Sequence, residues 1–282
     1  MIENRPFLNI LTHVILILGV ATVVFPVYLA FIASTRGPSD FMTGLVPLTP
    51  GGEFFNNFRQ LLSSGNSTAG APPFVLMLIN SLIMALLIAA GKIAISITSA
   101  YAIVYFRFPL RMTAFWIIFM TLMLPVEVRI LPTYKVVADL GMLNSYPGLV
   151  IPLIASATAT FLFRQFFLTV PDELMEAARV DGAGALKFFR DILLPLSRTN
   201  IAALFIILFI YGWNQYLWPL LVTTDPAHMT AVTELKQLIP NIGGLPEWHI
   251  AMAGTLIVMA PPLAVVVLMQ RWFVRGLIST EK

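Results

Sequence analysis

Six apolar stretches govern what this 282-residue chain can fold into. They lie near residues 10–33, 74–98, 112–131, 146–168, 199–222 and 250–273. Each is close to or above the roughly 20 residues that a helix needs to cross the hydrocarbon core of a bilayer. Backbone in lipid must satisfy its own hydrogen bonds, so apolar runs of this length are helices; the weaker alternating pattern of a membrane barrel is absent. Charged residues are 11% of the chain and hydrophobic residues 58%. A soluble domain carries about 25% charged residues, so this chain has too little polar surface to face water. The expected fold is all-α, a polytopic membrane protein with six transmembrane helices in a single transmembrane domain over 1–282.

The first run follows Arg5, exceeds the apolar core of a signal peptide and has no small-x-small cleavage site after it, so it reads as a retained helix. With both termini cytoplasmic, most Lys and Arg fall on inner segments, from Arg5 through Arg107, Arg111, Arg179 and Lys187 to Lys282. The outer segments hold Arg36, Arg59, Arg129, Lys135 and Lys236. The first outer loop, about 36–73, is rich in Gly, Pro, Ser and Asn and reads as irregular. The second, about 223–249, holds a short helical pattern around Thr230–Ile239.

Several polar residues stand in or near the spans. Lys92 lies about eighteen residues beyond Phe74, toward the inner headgroups. It reads either as a lysine snorkelling to that interface or as an anion-binding group in an inward-open cavity; Arg164 is placed similarly. Glu127 and Arg129, two residues apart, read as an ion pair or as a contact to an outer partner. Asn80, Asn214 and Gln215 suit either interhelical hydrogen bonds or the lining of a pathway. Trp213, Tyr216 and Trp218 fit an interfacial aromatic belt. In the fourth stretch, Ala155/Ala159 and Ser156/Thr160 recur at spacing four, which lets helices approach closely or leaves room along a path.

The segment from Val170 to Ser197 is polar and patterned. Thr169 is placed to cap a helix whose first turn holds Pro171, Asp172 and Glu173. Asp181-Gly182-Ala183-Gly184 breaks that helix. A second amphipathic helix follows, with Leu186, Phe189 and Leu193 at helical spacing and Pro195 near its end. Taken as residues alone, this is either a surface that fits a partner's groove or a connector lying on the membrane interface.

Glu176-Ala177-Ala178, Gly182, Ile192 and Leu194-Pro195 resemble the EAA motif of ATP-binding-cassette importer permeases at each of its positions. The six spans are similar to the maltose-permease-type inner subunits of binding-protein-dependent importers. Further segments, among them Leu122–Arg129, Ala155–Phe167, Phe209–Pro219 and Phe273–Leu277, resemble the permeases of sn-glycerol-3-phosphate importers. The resemblance implies a type I importer permease (MetI-like) fold in the bacterial inner membrane and a coupling loop at 169–198. Glu176, Ala177, Ala178, Asp181 and Gly182 would then sit at the contact with an ATPase. It also implies a heterodimer with a second homologous permease, two copies of the ATPase and a periplasmic substrate-binding protein. The implied cargo is glycerol-3-phosphate and its diesters, with a sugar or polyol on the same machinery as the alternative.

Other chemistry lacks its residues. No G-x-x-x-x-G-K-[ST] occurs, since Leu86 stands where the first glycine before Gly91-Lys92 should be, so ATP and Mg are expected on a partner subunit. There is no cysteine, and His13, His228 and His249 are scattered. No catalytic set, metal site, bound cofactor or nucleic-acid partner is expected.

Overall fold

The computed structural model describes residues 6–41, 48–64, 73–121, 124, 126–238 and 247–278. These residues form helices joined by turns. The helices are α1 (Pro6–Ser34), α2 (Phe54–Ser64), α3 (Phe74–Tyr105), α4 (Arg111–Met120), α5 (Val126–Asp139), α6 (Tyr146–Val150) and α7 (Ala157–Phe167), followed by α8 (Asp172–Val180), α9 (Ala185–Phe188), α10 (Leu194–Leu196), α11 (Arg198–Trp213), α12 (Leu217–Val222), α13 (Ala231–Gln237) and α14 (Trp248–Ile278).

Three helical segments are long and apolar enough to cross a membrane: Ile10–Ser34, Phe74–Tyr105 and Trp248–Arg271. Two further spans are bent pairs, Tyr146–Leu153 with Ala157–Phe167 at 48° and Ala185–Leu196 with Arg198–Trp213 at 72°. The expected count of six spans is thus approximate: among the described residues three spans are continuous helices and two are bent pairs. The third stretch becomes the ten-residue α4, which ends at Met120, and a separate α5, which begins at Val126. The fifth ends at Trp213 and restarts at Leu217. In the fourth, the small residues mark a break as well as a packing face. Ser156 caps α7 by accepting from the Ala159 N–H, and its carbonyl accepts from Ser96 Oγ at 3.1 Å.

The chain divides into two compact units, Met1–Val75 with Glu234–Ala260 and Leu76–Thr233 with Pro261–Lys282. In the first, the end of α1 is tied down rather than frayed. Asn57 on α2 donates to the carbonyls of Ser34 and Arg36, both at 2.8 Å, satisfying helix-end acceptors that lack partners of their own. Phe54 and Phe58 stack at 4.4 Å, Phe54 meets Phe31, and Leu61 is fully buried. The loop read as irregular therefore contains an amphipathic helix. Its apolar spacing (54, 58, 61) was hidden by the Gly, Ser and Asn on either side.

The second unit is built around α3. Its core includes Met84, Ile88, Ile130, Leu149, Leu153, Trp218 and Val222. Gly212 is what lets α11 reach α3: a side-chain carbon there would lie 2.9 Å from the Ala85 Cα. Trp213 and Trp218 do not form a membrane-interface belt. Both are buried, and the Trp218 indole donates to the Gly148 carbonyl at 3.1 Å. An indole N–H that finds a partner can be packed inward at little cost.

Candidate functional site

The 172–197 loop is ordered by its own backbone. At the end of α8 the Ala183 N–H donates to the Ala178 carbonyl at 2.8 Å and the Gly182 N–H to that of Arg179 at 3.0 Å. This pair of bonds is a Schellman motif, which requires a left-handed residue, and Gly182 has φ +71°. The expected cap at Thr169 is corrected: Pro171 is the cap position, without a side-chain bond, and Thr169 Oγ1 donates back to Phe166. Proline suits the start of a helix because its missing N–H needs no partner there.

The second half departs from the expected regular helix. Between α9 and α10 the chain makes a π turn over Phe189–Leu193, closed by the Leu194 N–H on the Phe189 carbonyl. Residues five apart do not share a face of an α-helix, but the π turn aligns Phe188 and Leu193, which are buried, and leaves Leu186 78% exposed. The apolar set is therefore 188/193 instead of 186/189/193. Pro195 lies directly after the widened turn, which relieves the clash of its ring with the preceding carbonyls.

Tyr101 and Tyr105 at the end of α3 fix this loop. Tyr101 donates to the Ala185 carbonyl at 2.9 Å and its ring meets Phe189 at 4.9 Å. Tyr105 donates to the Phe167 carbonyl at 3.4 Å and its ring meets Phe188 at 5.4 Å. Neither tyrosine was singled out from the sequence. The available signal was two tyrosines four apart ending an apolar run. Beneath α8 a cleft of about 870 Å³ is lined by Tyr101, Tyr105, Arg107, Arg111, Glu176 and Arg179, among others.

Of the motif residues, Glu176, Ala177, Asp181 and Gly182 are exposed and close together on this surface. Ala178 is the correction: it is buried within the loop, so it packs α8 down and presents nothing outward. Val180, 88% exposed, adds an apolar patch beside the charges.

The other candidates separate. Asn80 is fully buried; its amide donates to the carbonyls of Ala227 and Met229, both at 2.9 Å, and its oxygen accepts from Tyr146 at 2.6 Å. It is a tie between segments. Asn214 is exposed, and Gln215 donates to the Tyr211 carbonyl at 3.1 Å. Lys92 does not snorkel: α3 runs on to Tyr105, so the lysine is mid-helix, 6% exposed, with its ammonium 3.6 Å from the centre of the Tyr211 ring. Arg164 lies over the Phe115 ring at 4.3 Å. The Glu127 side chain, and with it the expected pair to Arg129, lies outside the described residues.

Residues 92–279 match the model of a family described as "Binding-protein-dependent transport system inner membrane component". The chain belongs to this family. It is an inner-membrane component of such a transport system, a transport subunit rather than an enzyme. Similar curated proteins include the "sn-glycerol-3-phosphate transport system permease protein UgpE" of Pectobacterium atrosepticum, 58% identical over all of both chains. The protein of the same name from Rhizobium meliloti is 55% identical over all of both chains. Among solved structures, a chain of a bacterial ABC transporter involved in the import of the acidic polysaccharide alginate has a TM-score of 0.84 at 20% identity, covering 97% of this chain and 99% of its own. That likeness establishes the fold.

Proposed function

We propose that this chain is the permease subunit through which an ATP-driven importer moves sn-glycerol-3-phosphate, and its diesters, across the inner membrane. The observation that carries the cargo is full-length identity of 55–58% to proteins of that stated role. The chain pairs with a second homologous permease, because six helices form half of such a pathway. Two copies of an ATPase dock on the two permeases from the cytoplasm, where both termini lie, and a periplasmic binding protein delivers cargo from the other side. The apolar surface of α1, where Phe7, Ile17, Leu18 and Val23 are exposed, suits lipid or the second permease.

Glu176, Ala177, Asp181 and Gly182 form the surface that meets the ATPase, with Ala178 packing beneath. An exposed acidic helix on a rigid turn, with Val180 and Leu186 bare beside it, has the mixed character of an interface core and rim. ATP binding closes the ATPases, the loop follows as a body, and the pathway turns outward; hydrolysis resets it. Lys92, Asn214 and Gln215 line that pathway, around the interruption between α11 and α12. Discontinuous helices at membrane depth are tolerated where they face a cavity.

Uptake of labelled glycerol-3-phosphate and of maltose by cells with and without the gene tests the reading. Loss of glycerol-3-phosphate uptake alone is expected. Unchanged glycerol-3-phosphate uptake with a lost sugar would establish the same machinery with a sugar or polyol cargo.

A further inference from the structure

A lysine buried mid-helix in an apolar span is costly unless something compensates its charge. Lys92 has the Tyr211 ring on one side and, among the described residues, neither a carboxylate nor a hydrogen-bond acceptor on its ammonium. The ring accounts for part of the compensation only, since a cation on a π face remains a cation. A second cation stands nearby: Ile130, next to Arg129 on α5, packs in one cluster with Ile88 of α3, and Tyr211 and Ile154 lie against that cluster. Arg129 is exposed and has no ion pair among the described residues. Two neighbouring cations with no carboxylate between them among the described residues repel each other, and an anion between them would relieve that repulsion.

The surroundings hold the lysine in place. Ile154 packs against Gly91, where a side-chain carbon would lie 2.7 Å from Ile154 Cγ2. Gly212 brings α11 against Ala85 and so sets Tyr211 beside Lys92. Directly after Tyr211 the helix stops, and Asn214, Gln215 and Tyr216 form the unwound link to α12. A fixed buried cation, a second cation at hand and a broken helix with amide side chains are together the equipment of an anion site.

We infer that Lys92 and Arg129 form a phosphate-recognising pair in the translocation pathway, with Asn214 and Gln215 of the broken helix facing the uncharged part of the cargo. This deepens the proposed cargo reading and rests on it. A phosphate monoester carries a charge of about −1.5 to −2 near neutral pH, which matches two cations where one would leave a surplus. A sugar or polyol could accept hydrogen bonds from either group but would leave both charges uncompensated. In the empty pathway the cation pair is strained by its own repulsion, so an anionic cargo is favoured over a neutral one of similar size.

The test uses the whole importer (both permeases, the ATPase and the binding protein) in proteoliposomes, with uptake of labelled sn-glycerol-3-phosphate and complex assembly measured together. Lys92→Gln should lower the maximal uptake about tenfold or more, and Arg129→Gln severalfold. Lys92→Arg, which keeps the charge and stacks on an aromatic ring, should retain a substantial part of it. The double variant should be little worse than Lys92→Gln, because the two groups act on one ligand. Uptake within about twofold of wild type in Arg129→Gln and in an assembled Lys92→Gln complex overturns the site and leaves the cargo intact. If Lys92→Gln does not assemble, Arg129→Gln decides, since Arg129 is exposed and free of packing duties. A wild-type complex that carries a neutral polyol and not glycerol-3-phosphate overturns both the cargo and the site.

Discussion

The two ends of α3 treat polar groups in opposite ways. At its first end, Asn80 and Ser81 are buried and satisfied. Asn80 holds the 227–229 segment and Tyr146, while Ser81 Oγ accepts the Ala231 N–H at 2.9 Å. Nearby, Asn144, at φ +53°, uses its side-chain oxygen to accept the N–H groups of Thr224 and Asp225. At its last end, Tyr101 and Tyr105 anchor a loop whose charged residues are exposed. Both ends are ordered, but only the second carries an exposed row of charges, in which Arg190 and Asp191 pair with each other at 2.7 Å and Glu176 and Asp181 have no ion pair among the described residues. Charge displayed on a rigid support marks a surface made for a partner, and charge or amide satisfied inside marks a structural tie. It follows that changes at the loop should remove function and leave stability, and changes at the first end should do the reverse.

The largest effect is expected at the loop. Gly182→Val places a branched side chain at φ +71°, at a cost of about 1–2 kcal/mol in the turn. Among the described residues, nothing beyond its two chain neighbours lies within 4 Å of the added carbon, so any further loss is expected from the partner. Glu176→Lys inverts an exposed charge and should not disturb the fold. Both variants should insert and purify normally while ATPase recruitment falls and uptake is abolished. Co-purification of the ATPase, measured beside uptake, checks this. Normal recruitment and uptake in both would reduce the loop to a connector.

Next is Asn80→Ala at the other end. It strands the carbonyls of Ala227 and Met229 and the Tyr146 hydroxyl, and should destabilise the protein by about 2–4 kcal/mol. Thermal unfolding in detergent reads this directly. Whatever protein survives should recruit the ATPase normally. Weak recruitment with unchanged stability would erase the contrast between the ends.

How much of this was legible depended on how local each signal was. The all-α membrane fold and the coupling turn were readable because hydropathy and the Glu-Ala-Ala…Gly pattern act within one or two turns of chain. The helix break at Asp181-Gly182-Ala183-Gly184 was readable from the glycines alone, and Gly182 is the residue that takes the positive φ. The breaks at 154–156 and 214–216 were missed because apolar residues flank them. A hydropathy window averages across an interruption that Ser156 and Asn214 create with side chains and caps. Trp213 and Trp218 were misplaced because an indole suits an interface and a core equally, and the deciding partner, the Gly148 carbonyl, is 70 residues away. Lys92 was located in sequence but not in depth, since its helix continues thirteen residues beyond it, to Tyr105.

A smaller effect probes the anchor alone. Tyr101→Phe keeps the ring against Phe189 and loses only the bond to Ala185, a change of about 0.5–1.5 kcal/mol. Since the loop must move as a body, the expected sign is poorer coupling: more ATP hydrolysed per substrate imported, with recruitment unchanged. An unchanged ratio would mean that Tyr105 and the rings suffice to hold the loop.

The smallest effect is expected at Glu234, one turn into α13, which begins at the Ala231 that Ser81 holds. Here the rule of satisfied polar groups fails: Glu234 is 1% exposed and its Oε2 has no hydrogen-bond partner. Burial raises its pKa above the usual carboxylate range, because a charge there has lost its water. In the window between the unfolded and folded values the folded chain therefore holds more protons than the unfolded chain. Stability falls as pH rises through that window and stays lower above it. Glu234→Gln keeps the shape without the charge, so it should unfold at a higher temperature than wild type at about pH 8, and the gain should vanish near pH 4, where the unfolded carboxyl is protonated too. The measurement is the difference in melting temperature between the two proteins across that range. A difference that does not change with pH, or a variant less stable at pH 8, would mean that the carboxylate is compensated as an anion and that α13 holds no exception.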